Sequence, residues 1–198
     1  MSTQTTRKSP RETQRAKRQR QQVLGRVAWS LIGLIGVVIV GYIVWGAFRP
    51  KPGQSVPQLP ASHIQPGASH EPYNSDPPTS GPHYVEPAQG GFYNETPSDE
   101  QLVHNLEHGY VILWYNCSDL TSSQCDRLKS QIRGAMQAAG NSTLTSTPKL
   151  IAVPRPTLDT QLALTTWGRL DKFDAFDQNR IVNFIRAFRD HAPEPNAP

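Results

Sequence analysis

From Val27 to Phe48 the chain reads VAWSLIGLIGVVIVGYIVWGAF, without one charged residue, and this run limits the fold more than any other feature. A backbone surrounded by hydrocarbon must satisfy its own hydrogen bonds, so such a run is expected to be a helix. At about 1.5 Å of rise per residue it would reach roughly 33 Å, enough for the hydrocarbon core of a bilayer. Trp29 stands near one end and Tyr42 and Trp45 near the other, as interfacial aromatics do.

The flanks point the same way. Residues 1–26 hold eight basic side chains against the single acid Glu12, so the rest of the chain is net acidic although the whole is +4. A basic arm in front of an apolar run stays cytoplasmic and meets anionic headgroups, which argues against nucleic acid as a partner. A cleaved signal peptide would have a shorter core, about 7 to 15 residues, and a small-x-small site. Ala47-Phe48-Arg49-Pro50 offers no such site. The expectation is a cell-membrane protein with a cytoplasmic tail (1–26), a single transmembrane helix (27–48) and an extracytoplasmic remainder, the lipid bilayer being its first partner. Cys117 and Cys125 would then lie where disulfides persist. Seven residues separate them, so they are not a redox C-x-x-C pair. Their expected role is a structural bridge from the end of a strand to the following helix.

Residues 49–70, RPKPGQSVPQLPASHIQPGASH, have the composition of a semi-extended stalk. Residues 71–97 stay rich in proline but carry Tyr73, Tyr84, Phe92 and Tyr93, so they are expected to lie across the domain as a strap. Ser98 caps a helix that runs to His108 and stops at Gly109. YVILWYN (110–116) reads as a buried central strand, and residues 122–140 as a second helix. KLIAVP (149–154) and QLALTTW (161–167) read as a hairpin, residues 177–191 as a last amphipathic helix, and 193–198 as a disordered tail. The expected fold class is α+β: a small extracytoplasmic domain (71–192) with about three helices in one layer on a short, mostly antiparallel sheet.

The chemistry concentrates in His104-Asn-Leu-Glu-His108. On a helical wheel His108 lies about 40° from His104 and Glu107 about 60° to its other side, whereas Leu102, Val103 and Leu106 lie roughly 160° to 260° away. The histidines therefore occupy the polar face and are not core residues. Imidazoles at i and i+4 can reach one cation. A strap folded back over that face would bring His83 and His70, with His63 as a further candidate, and would leave Glu107 as a partner for an imidazole. The expected ligand set is His83, His104, His108 and His70. Neutral imidazoles suit a copper or zinc ion better than a hard cation. H-x-x-E-H is also the order of a zinc hydrolase motif, but a helix that ends one residue later in a domain of this size argues against catalysis. Another role for the same features is an envelope interaction module, in which the strap docks on another membrane protein and the histidines are structural.

YNSDPPTSGPHY (73–84) followed by LVHNLEHGYVILWY (102–115), after one N-terminal anchor, resembles a family of bacterial membrane-anchored proteins known only as a domain of unknown function. The shared signatures are PPTSGPHY and HNLEHG, which include Pro77, Pro78, Gly81, His83, His104, Glu107, His108 and Gly109. The resemblance covers about residues 60–192 and implies no activity.

Overall fold

The computed structural model describes residues 29–44 and 51–197. The chain divides into two compact units, Met1–Pro50 and Lys51–Pro198. In the first unit a helix, α1, covers residues 29–44, and its residues are exposed. The basic tail, and the ends of the apolar run at 27–28 and 45–48, lie outside the described residues. No helix among the described residues is long and apolar enough to cross a membrane. Among the described residues this overturns the expected transmembrane helix, because the described part of the run, 29–44, is shorter than a span needs.

In the second unit the strands are β1 (Gln54–Ser55), β2 (Ser62–Ile64), β3 (Pro82–Tyr84), β4 (Gly91–Phe92), β5 (Val111–Tyr115), β6 (Leu150–Pro154), β7 (Leu162–Thr166) and β8 (Arg169–Phe173). The helices are α2 (Asp99–Glu107), α3 (Ser122–Ala139) and α4 (Gln178–Phe188). Six strands form one sheet in the order β1-β8-β7-β5-β6-β4, and β2 pairs with β3 in a separate two-stranded sheet. The fold is α+β, as expected, but the sheet is mixed and four helices are present among the described residues. β5 runs parallel to β6 and antiparallel to β7, and β4 is parallel to β6.

The expected hairpin of 149–154 with 161–167 does not form, because the fully buried β5 lies between those strands. After β5 the chain crosses back through α3 and returns as a parallel neighbour, the connection such a pair requires. The hairpin is instead β7–β8, turned at Trp167-Gly168.

Alternation along β5 divides the interior. Val111, Leu113 and Tyr115 join a core with Leu128 and Ile132 of α3 and Ile181, Phe184 and Ile185 of α4. Ile112 and Trp114 join a second core with Leu102, Val103 and Leu106 of α2. Helices therefore cover both faces of the sheet and not one. A nine-residue helix such as α2 is marginal alone. Its three fully buried apolar side chains, worth about 1.5–3 kcal/mol each, hold it to the sheet. Ser98 Oγ accepts from the Gln101 amide at its start.

The segments expected to be stalk and disordered tail are built into this unit. β1 pairs antiparallel with β8, and β2 pairs with β3. In the tail the Glu194 amide donates to the Glu107 carbonyl at 3.0 Å, and the Pro195 carbonyl accepts from Lys149 Nζ at 2.7 Å. Residue 198 and residues 49–50 lie outside the described residues.

Candidate metal centre

The strap packs on α2 through β3. It is fastened at several points. Asn105 Nδ2 donates to the Ala88 carbonyl at 2.8 Å, and its Oδ1 accepts from the Ala88 amide at 3.0 Å. The Tyr73 hydroxyl donates to the Pro82 carbonyl at 2.7 Å. Arg155, just past β6, reaches Asp76 on the strap and Asp99 at the start of α2, each at 2.8 Å.

The parallel register of β2 and β3 sets His63 opposite His83, and the strap lays both over the polar face of α2. The faces of α2 are as the wheel gives them, but the exposure is not: His83, His104 and His108 are 0 %, 5 % and 9 % exposed. A polar helix face becomes interior when a second segment covers it, and a wheel sees only one segment.

Backbone carbonyls fix which nitrogens face inward. His83 Nδ1 lies 2.8 Å from the Gly81 carbonyl, and His104 Nδ1 lies 2.5 Å from the Tyr84 carbonyl. A carbonyl can only accept, so both Nδ1 atoms carry a proton, and in the neutral ring the lone pair is then on Nε2. This is how imidazoles are oriented around metal ions. Gly81 supports the arrangement with φ +126°, and a Cβ there would meet the Tyr73 ring at 3.1 Å.

The buried Nε2 of His83 lies 2.9 Å from Glu107 Oε2. Neither atom has a hydrogen-bond partner among the described residues. A lone-pair nitrogen and a carboxylate oxygen at that distance call for a cation, and either a proton or a metal ion would supply it. His104 Nε2 lies 2.9 Å from His108 Nε2. The His104 imidazole is held below the ordinary histidine range mainly by burial. Its bond to the Tyr84 carbonyl opposes that shift, and charge on His108, His83 and His63 adds to it. A neutral ring is the form that ligates.

Two groups of donors have the spacing to hold an ion. The ligand atoms of His63, His83 and His104 lie within 4.8 Å of one another, as do those of His104, Glu107 and His108. Nitrogens about 2.1 Å from one zinc ion stand at most about 4.2 Å apart, so a group spread over as much as 4.8 Å must draw in slightly to hold one. His83 and His104 thus share one group and His104 and His108 the other, and Glu107 stands against an imidazole. His70 does not join them. Its Nδ1 lies 2.7 Å from the Glu71 carbonyl and its Nε2 is 3.3 Å from Glu100, at the other end of α2. His63 takes the place expected for His70, and only the β2–β3 register distinguishes the two. Glu194, with Oε2 3.7 Å from His108 Nε2, comes from the segment expected to be disordered; no sequence signal marks it. Cys117 and Cys125 form a disulfide from the end of β5 to α3.

The family described as "Protein of unknown function (DUF3105)" matches residues 63–198. No curated protein and no solved structure matches the chain.

Proposed function

The chain belongs to the DUF3105 family, and we propose that it binds a transition-metal ion, copper or zinc, through His63, His83 and His104. One observation carries this: two buried imidazoles, each with Nδ1 committed to a backbone carbonyl, keep Nε2 for coordination and stand with a third histidine within reach of one ion. All-imidazole donors suit Zn²⁺ and Cu²⁺ over hard cations. The unpartnered Glu107 Oε2 beside His83 adds a negative charge that favours a cation there. We further infer an extracytoplasmic location for the second unit. The Cys117–Cys125 disulfide supports it, since such bonds persist in oxidising compartments.

The test is elemental analysis of the full chain, purified without a histidine tag, loaded with Zn²⁺ or Cu²⁺ and desalted. One equivalent is expected, lost in His83→Ala and in His104→Ala. Folded wild-type protein that retains no ion would end this proposal.

A further inference from the structure

The two donor groups are not independent, because His104 belongs to both. Its Nδ1 is bound to the Tyr84 carbonyl, so one nitrogen, Nε2, is left for coordination. One lone pair serves one ion. The first group and the second can each be completed, but not together.

The surroundings of the groups differ. The first opens to solvent at His63, which is exposed, while His83 and His104 are buried beneath it. The second lies along the last turn of α2, where the C-terminal segment reaches it. The Glu194 amide is tied to the Glu107 carbonyl, and the Glu194 carboxylate, 58 % exposed, stands 3.7 Å from His108 Nε2. The donor atoms between the ends are closely spaced: His83 Nε2 is 2.9 Å from Glu107 Oε2, and His104 Nε2 is 2.9 Å from His108 Nε2. An ion can thus exchange its partners around His104 without leaving the protein.

Resting on the metal-binding reading above, we propose that the site holds one ion in either of two positions pivoted on His104 Nε2. The first position is completed by His63 and His83, and the second by Glu107 and His108 with Glu194 at its rim. The ion is then transferable cargo and not a structural fixture. It enters at the exposed His63 and is offered to an acceptor at the C-terminal segment.

The probe is Co²⁺, whose visible spectrum reports its ligands, titrated into the full chain. Wild type is expected to take up one equivalent. His63→Ala and His108→Gln each leave one position intact, so each should still take up one equivalent. Their spectra should differ, mixed nitrogen and oxygen in the former and nitrogen-dominated in the latter. The double variant should take up none. His63 is exposed, and circular dichroism confirms that each variant is folded. Two equivalents in wild type would overturn the shared pivot. Complete loss in His63→Ala alone, with His108→Gln matching wild type, would overturn the second position while leaving metal binding in place. No uptake by folded wild type would remove both proposals.

Discussion

His83 Nε2 and Glu107 Oε2 face each other at 2.9 Å, both shut away from water and neither hydrogen-bonded. With no cation between them, two acceptors repel. Glu107→Gln replaces one acceptor by an amide that can donate, so the metal-free variant is expected to gain about 1 kcal/mol over wild type. It should also bind metal more weakly. Urea unfolding of chelator-treated proteins checks the first effect. A loss of stability instead would mean that His83 is already protonated and paired with Glu107.

Ligand binding to the folded chain alone raises its stability by mass action. Free Zn²⁺ at one hundred times Kd should add about 2.7 kcal/mol. For a unit of this size that is a rise in Tm of roughly 5–11 °C. Excess chelator should reverse it, and His83→Ala should show none of it. His70→Ala should keep all of it, because His70 is occupied with Glu71 and Glu100 and lies outside both donor groups.

His104 gives the metal-free protein a pH dependence of known sign. Burial holds its imidazole below the value of about 6.5 that it takes in the unfolded chain. Near and below that value the unfolded state binds more protons, so stability rises with pH. The contribution is complete above the unfolded value and is lost as pH falls from there through the folded one. Urea midpoints of chelator-treated protein should therefore drop from pH 8 to pH 5, and His104→Gln should flatten part of that slope. Equal slopes in the two proteins would show that His104 titrates alike folded and unfolded.

Much of this arrangement is legible in the residues, and what is not shares one cause. The start of α2 at Ser98, its end before Gly109, β5, α3 and the polar placement of His104 and His108 all follow from local spacing. What fails is pairing between distant segments. RLDKF (169–173) carries too little alternation to announce β8. Nothing in 150–154 and 162–166 shows that β5 will lie between them. The strap over α2 was foreseeable from its aromatics, but His63 and His70 have similar proline-rich surroundings. Only the β2–β3 register chooses between them.

The Cys117–Cys125 bridge closes a short loop, and chain entropy for such a loop gives about 2.5 kcal/mol. Replacing both cysteines by serine should lower stability by that order. α3 packs on the sheet face opposite α2, so zinc stoichiometry and affinity should not change. A large drop in affinity would show that the two faces are coupled.

Lys149 anchors the C-terminal segment to the end of α2. Its side chain is fully buried, and its backbone holds φ +46°, a strained conformation for a side chain of this kind. Nζ donates to the His108 carbonyl at 2.8 Å and the Pro195 carbonyl at 2.7 Å, and lies 3.6 Å from Asp190 Oδ1. Burial lowers the pKa of its ammonium, and Asp190 opposes that. Nearby Gly109 has φ +84°, and a Cβ there would stand 2.9 Å from the Asp190 Cα. Lys149→Met would strip two carbonyls of their donor and leave the Asp190 carboxylate without its cation. Breaking such a pair from one side costs about 3–5 kcal/mol. Lys149→Met combined with Asp190→Asn should cost less than the sum of the single changes, because the two groups interact directly. The same loss should free residues 190–197 from α2, which limited proteolysis reads as early cleavage there. A Lys149→Met protein with a wild-type urea midpoint and an uncut tail would show that the ammonium holds nothing in place.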